Sequence, residues 1–379
     1  MMNALIGLPH ENVGSVALSA VDIRAIGCLR KLADTRNLPI LATILAEAKG
    51  YQLTLRVTDL ETMAVYTSNM ERPGEWSAAI PAKPLWEALK GAKSATLSVA
   101  GLRATVESPA STLSIETLPA DDFPAAPRDS ERHILVCSVS AAEMKNALAF
   151  GSAFAARCTS RGAVLMGALL EHEGRALRVV TTDGCMLGYQ ELQAETCAVE
   201  KAQVILPAAA CSMIADSLPA GIARVSASET TGRIQCGAWA FSCRLVDGSY
   251  PNYRTVVPTA HAFSAVVLRD ALLAAAKQAK AAHGKGGTLT VSLDSASPVL
   301  AVRSKGFSEG LGFRSAVPSA IRGEGALDVA LVPEMLVRCL EAFPKGSSLE
   351  LQFQGPCAPA VIRSQQHRVP FALVMPRRP

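Results

Sequence analysis

Apolar and polar residues along this chain follow two periods, and the switch between them marks where one kind of element is predicted to give way to another. In Leu53-Thr54-Leu55-Arg56-Val57-Thr58-Asp59 the apolar positions recur every second residue, as in a strand with one buried and one solvated face. Residues 20–32, 141–156 and 269–282 instead carry apolar side chains at helical spacing with charges between them. Each of these predicted helices leads into strand-like runs: 53–59 after the first, 164–170 and 177–184 after the second, 288–293 and 299–302 after the third. Sheets with one wet face, covered on the other by helices, make an α+β fold.

A second pattern recurs at a fixed step. Ala79-Ile80-Pro81-Ala82-Lys83-Pro84-Leu85, Ile205-Leu206-Pro207-Ala208 and Leu331-Val332-Pro333-Glu334-Met335-Leu336 each read as a strand, a proline turn and the start of a short amphipathic helix. Pro81 to Pro207 is a step of 126 residues, and Pro207 to Pro333 is again 126. Thr58-Asp59 and Thr182-Asp183 lie 124 apart, in agreement. The chain therefore reads as three copies of one α+β domain, each large enough to hold its own core. Boundaries are predicted after the proline-rich run Pro124-Ala125-Ala126-Pro127-Arg128-Asp129 and at Pro258, giving domains 1–130, 131–258 and 259–379.

Composition narrows the function more than the fold. With 49% hydrophobic and 18% charged residues the chain is globular, and with 5% aromatics its cores are expected to be built mostly from small aliphatic side chains. No apolar run reaches the roughly 18 residues that cross a bilayer, and the first nine residues lack the pattern of a signal peptide, so a cytoplasmic protein is expected. Ten cysteines without a Cys-x-x-Cys pair, and His10, His133, His172, His261, His283 and His367 without ligand spacing, point to reduced thiols and to no metal or other cofactor. Gly91-Ala92-Lys93-Ser94 and Gly284-Lys285-Gly286-Gly287 both break the order of a phosphate-binding loop. Asp59 and Asp183, at equivalent repeat positions before a turn, read as caps of backbone N–H groups rather than as catalytic carboxylates. These features disfavour an enzyme. The net charge of +4 is too mild to identify a nucleic-acid partner, so the placement of basic residues has to decide.

Between the second and third copies lies Arg244-Leu245-Val246-Asp247-Gly248-Ser249-Tyr250-Pro251-Asn252-Tyr253-Arg254-Thr255-Val256-Val257-Pro258, an ordered connector by its Asp-Gly turn and its prolines. It is similar to the junction of the second and third domains in the bacterial β sliding clamp family, the processivity subunit of DNA polymerase III. Five further stretches resemble that family in order. They are Arg36-Asn37-Leu38-Pro39-Ile40-Leu41, whose arginine stands one residue closer to the leucine than in many relatives, Thr58-Asp59-Leu60-Glu61, Thr117-Leu118-Pro119-Ala120-Asp121-Asp122-Phe123-Pro124, Thr182-Asp183-Gly184-Cys185-Met186-Leu187 and the terminal Val374-Met375-Pro376-Arg377-Arg378-Pro379. The resemblance implies a ring formed by a head-to-tail homodimer, each subunit built of three clamp-type domains, with helices lining the inside and sheets the outside. It implies a protein that encircles duplex DNA without reading sequence and tethers the replicative polymerase, the clamp loader and repair factors through short peptides. The alternative is a paralogue serving a plasmid, a phage or a resistance role.

In that family the peptides enter an apolar pocket between the second and third domains. Carried over residue by residue, the pocket comprises Leu165, Thr182, Gly184, Cys185, Met186, Leu187, Pro251, Thr255, Val256, Val374, Met375 and Pro376. Cys185-Met186 replaces the usual His-Arg, Thr255 stands where many relatives have a second basic residue, and Arg377 and Pro379 replace residues that border the site. The expectation is a less polar pocket to which Met186 adds adaptable apolar surface. Arg24, Arg36, Lys145, Arg161, Lys277 and Lys280 are the expected DNA-facing residues, supplying diffuse charge that holds phosphates without base contacts. The dimer is expected to join a strand bearing Leu113 and Ile115 to a helix end bearing Ala281 and Ala282, whose small apolar area predicts a weaker ring than usual.

Overall fold

The computed structural model describes residues 13–33, 38–125, 133–158, 160, 162–283, 287–305, 312–367 and 369–377. The chain packs as two compact units, Met1–Leu135 with Asp216–Arg244, and Val136–Ala215 with Leu245–Pro379. The first unit opens with β1 (Val13–Leu18), α1 (Ala20–Leu29), β2 (Thr43–Thr58), β3 (Thr62–Pro81), α2 (Ala82–Leu89), β4 (Ala95–Ala100), β5 (Arg103–Ser108) and β6 (Ser111–Glu116). The chain then passes through β7 (Ile134–Ser140), α3 (Ala141–Ser152), β8 (Gly167–Glu173), β9 (Ala176–Thr182), β10 (Met186–Gln193), β11 (Thr196–Cys197), β12 (Lys201–Pro207) and α4 (Ala208–Ser217). It returns to the first unit for β13 (Ile222–Ala227), β14 (Thr231–Cys236) and β15 (Trp239–Arg244). The remainder comprises β16 (Phe263–Leu268), α5 (Arg269–His283), β17 (Leu289–Asp294), β18 (Val299–Lys305), β19 (Gly312–Arg322), β20 (Ala326–Leu331), α6 (Pro333–Glu341), β21 (Ser348–Phe353), β22 (Ala360–Ser364) and β23 (Phe371–Val374).

Local chemistry explains where these elements begin and stop. Ser19 caps α1: its Oγ accepts from the N–H groups of Val21 and Asp22 (3.2 and 3.3 Å), while Asp22 accepts from the Ser19 N–H at 2.8 Å, a reciprocal capping box. Asp22 is itself buried and takes a further bond from the Tyr66 hydroxyl at 3.0 Å, so the cap also ties the helix to β3. α1 and α3 are shorter than their periodicity predicts. After α3 the Ala156 N–H turns to the Leu165 carbonyl (2.8 Å) instead of continuing the helical ladder. The step of 126 has a structural counterpart: Pro81 caps α2, Pro207 immediately precedes α4, and Pro333 is the first residue of α6.

In the first unit β1-β4-β5-β6 form one sheet, and β13-β14-β15-β3-β2 lie in this order in another. Leu53, Leu55 and Val57 are fully buried, in keeping with their alternation. The second unit holds one twelve-stranded sheet in the order β12-β8-β9-β10-β23-β22-β21-β16-β19-β18-β17-β20. Its helix-covered side is an apolar cluster that includes Phe150, Phe154, Met186, Leu336, Leu340 and Val374. A smaller cluster gathers Leu169, Val180, Leu187, Ile205, Tyr253 and Leu373.

The β2–β3 hairpin turns on a compact hydrogen-bonded unit. Thr58 Oγ1 donates to the Thr62 carbonyl (2.9 Å) and accepts from the Leu60 N–H (3.0 Å), while Asp59 Oδ1 accepts from the N–H groups of Glu61 (3.1 Å) and Thr62 (2.6 Å). Leu60 sits in the left-handed region with φ of +79° and is 61% exposed, so its side chain gains little to offset the backbone cost. Leu60→Gly should remove roughly 1–2 kcal/mol of strain and return about 0.5–1 kcal/mol through the freer unfolded chain. A modestly raised urea midpoint is the expected result. A midpoint at or below that of the parent would show that the turn stores no such strain.

Candidate functional site

The turn between β9 and β10 repeats the β2–β3 turn almost bond for bond. Thr182 Oγ1 donates to the Met186 carbonyl (2.6 Å) and accepts from the Gly184 N–H (3.0 Å), and Asp183 Oδ1 accepts from the N–H groups of Cys185 (2.9 Å) and Met186 (2.8 Å). Gly184, with φ of +84°, takes the left-handed place that Leu60 occupies in the first repeat. Asp183 is therefore occupied as a backbone cap, as is Asp59.

This turn is where the C-terminal strand joins the second repeat. β10 pairs antiparallel with β23, Met186 opposite Val374 and Leu187 opposite Leu373, and the Met375 N–H then donates to the Cys185 carbonyl at 2.8 Å. The connector reaches the same place from another direction. The Tyr250 hydroxyl accepts from the Thr182 N–H (3.1 Å) and donates to the Gly167 carbonyl (3.4 Å), and Tyr253 packs in the cluster that contains Leu187 and Leu373. Gly248, with φ of +123°, stands where a Cβ would lie 2.7 Å from Val164, so the connector passes close to the segment carrying Leu165.

The twelve carried-over residues thus divide by side-chain direction. Leu165, Thr182 and Leu187 are buried, Pro376 and Cys185 are half-buried, and Gly184, Pro251 and Thr255 are exposed. Met375 (37% exposed) and Val256 (40%) are apolar side chains open to solvent. Met186 and Val374 are different. They are 2% and 0% exposed and belong to the helix-side cluster with Phe150 and Phe154, whereas their neighbours Leu187 and Leu373 belong to the cluster that receives the connector. Successive strand residues point to opposite faces, so Met186 and Val374 turn away from the face that Leu187 and Leu373 present. The expectation that Met186 offers surface to a ligand, and that Val374 forms a wall, is corrected accordingly.

A buried carboxylate that the connector grips had no sequence signal of its own. Glu171, buried in β8, accepts from the Tyr253 hydroxyl (2.6 Å), from both terminal nitrogens of Arg254 (3.1 and 2.6 Å) and from Gln203 Nε2 (2.7 Å). Arg254 also lies over the Tyr253 ring, 4.9 Å from its centroid. Burial pushes the Glu171 carboxyl up, but the hydrogen bonds from Tyr253, Arg254 and Gln203 outweigh it and hold the group below its ordinary value. The Tyr253-Arg254 pair of the connector motif is thus a clasp that fixes Pro251, Thr255 and Val256 to the sheet. An aromatic hydroxyl followed by a guanidinium was the available hint that a buried carboxylate waits elsewhere in the chain.

Arg24 on α1, Lys145 on α3 and Lys277 and Lys280 on α5 are all exposed, on helix faces opposite the buried apolar ones. Lys277 bonds Glu341 at 2.8 Å; both side chains are about half exposed, so this ion pair is weak. Arg36 and Arg161 lie outside the described residues. Of the expected dimer residues, Leu113, Ala281 and Ala282 are exposed, whereas Ile115 is buried within its own unit, so its side chain is spent on that core and is not available to a partner. Among the described residues no helix is long and apolar enough to cross a membrane.

Comparison with known proteins gives the chain's relatives. Residues 23–127 match the family model of the DNA polymerase III beta subunit, N-terminal domain, and residues 138–252 match its central domain. The beta sliding clamp of Pseudomonas putida is 30% identical over 229 residues, 59% of this chain and 62% of that protein. That of Escherichia coli is 30% identical over 233 residues, 60% of this chain and 63% of that protein. The chain thus spans less than two thirds of the length of these relatives at that level of identity. Two solved structures share the fold at 23% identity, each over 96% of this chain and 99% of their own, with a TM-score of 0.84: a Pseudomonas aeruginosa sliding clamp bound to griselimycin, and the Thermotoga maritima DNA polymerase III beta subunit.

Proposed function

We propose that this chain, which belongs to the bacterial DNA polymerase III beta subunit family, is a non-catalytic processivity factor that encircles duplex DNA and tethers a polymerase through a peptide pocket. The observation that carries this reading is the match of two consecutive domains of that family, with the clamp fold continuing over 96% of the chain. We divide the chain into three domains, 1–130, 131–258 and 259–379, because the Thr-Asp turn recurs bond for bond and a proline stands at the start of α2, α4 and α6. The pocket we assign to Leu165, Thr182, Gly184, Cys185, Leu187, Pro251, Thr255, Val256, Met375 and Pro376, with Met375 and Val256 as its exposed apolar anchors. A main-chain role at the turn remains for Met186.

A homodimeric ring is supported by two sheet ends. β6 stands at the end of its sheet in one unit and β20 at the end of its sheet in the other, and such edges are templates for pairing with a second chain. We place the protein on DNA in the cytoplasm, with clamp loader and repair factors competing with the polymerase for the pocket. Exposed helix cations supply attraction that is diffuse and easily screened, so retention must be topological rather than adhesive. Protein assembled on nicked circular DNA by a clamp loader should therefore stay bound through gel filtration, and should be lost once the circle is cut to give free ends. Equal retention on cut and circular DNA would rule out encirclement.

A further inference from the structure

We propose that Arg338 is a positioning residue for the peptide pocket, acting through Asp183 to hold the Thr182–Leu187 turn in its ligand-ready shape. Arg338 lies on α6, and its guanidinium reaches out of the third repeat into the second. Nη2 donates to the carbonyls of Ala153 (2.7 Å) and Ala155 (3.2 Å), and Nη1 donates to Asp183 Oδ2 at 3.4 Å. Both partners are largely shielded, with side chains 23% and 14% exposed, so the pair is screened less than a surface one. The other carboxylate oxygen of Asp183 caps Cys185 and Met186, and the Cys185 carbonyl receives the Met375 N–H. One unbroken series of bonds therefore runs from α6 through the turn to the exposed methionine.

The repeat gives a second, independent line. Stepping back 126 and 252 residues from Arg338 reaches Ser212 and Trp86, so an arginine occupies this helix position in the third copy alone. The turn closes in the first repeat around Asp59 with the same internal bonds. Closing the turn does not require the arginine; tying it to α6 does. Arg338 also lies on a cavity of about 640 Å³ that it shares with Arg157, Phe150, Phe343 and His367, so truncating it leaves space that water can enter to meet the freed carbonyls.

This inference rests on the peptide pocket assigned above, and the experiment separates the two. Binding of a Gln-x-Leu-x-Phe peptide to the full chain is measured by calorimetry for Arg338→Ala, Asp183→Asn, the double variant and Met375→Ala, with amide exchange at Cys185 and Met186 followed in parallel. Arg338→Ala should weaken the peptide about fivefold and speed exchange at both amides. The double variant should be no weaker than Asp183→Asn alone, because both changes cut one path. If Met375→Ala weakens the peptide while Arg338→Ala leaves affinity and exchange unchanged, the positioning role is wrong and Arg338 only stabilises the fold. If Met375→Ala also leaves affinity unchanged, the peptide binds elsewhere and the pocket assignment falls with the inference.

Discussion

Met186→Arg should destabilise the second unit by about 3 kcal/mol or more, because it places an unpaired cation in an apolar core. The family resemblance points the other way, since an arginine is usual at this motif position. The side chain, however, is 2% exposed, stands opposite Val374 across the β10–β23 ladder, and packs in the cluster of Phe150 and Phe154. Asp183, a carboxylate close in sequence, already serves two backbone N–H groups and Arg338. A guanidinium at 186 would have to disrupt that arrangement or remain without a counter-charge. Met186→Leu, which keeps volume and polarity, should cost less than about 1.5 kcal/mol and separates charge from shape. Urea unfolding of both variants is the measurement. An arginine variant as stable as the leucine one would mean that the side chain escapes to solvent and that Met186 belongs to the peptide surface after all.

How much could be foreseen follows from what a linear pattern contains. The burial of Leu53, Leu55 and Val57 was legible because alternation is a local property of a strand. The equivalence of Asp59 and Asp183 was legible because a turn closed within five residues leaves its whole chemistry in one stretch. The direction of Met186 and Val374 was not: a motif match gives a backbone place, and a pleated strand sends neighbours on that backbone to opposite faces. Glu171 was hidden for a different reason. It ends the apolar run Ala168-Leu169-Leu170, while its hydrogen-bond partners lie 32, 82 and 83 residues away, so only the folded chain brings that amide, phenol and guanidinium to the carboxylate.

Glu171→Gln should cost about 2–3 kcal/mol at pH 7, the second largest loss expected of a single change here. The amide cannot accept the paired bonds of Arg254 with charge assistance, and its NH₂, at whichever oxygen's place, faces an Arg254 nitrogen together with either the Tyr253 hydroxyl or the Gln203 amide. The upper range for breaking a buried pair is discounted because the Arg254 side chain is 52% exposed, so water can take up its guanidinium. The pH dependence has a definite sign. A carboxyl held below its ordinary value of 4.5 in the folded state contributes stability that is present above that value and is lost as pH falls through the lower, folded one. The gap in urea midpoint between parent and variant should therefore be widest near neutrality and narrow steadily below pH 4.5. Loosening the clasp also frees Pro251, Thr255 and Val256 from the sheet, so peptide affinity should fall alongside stability at pH 7. A gap that stays constant from pH 7 to pH 3 would show that the charge of Glu171 contributes nothing and that the clasp works by shape alone.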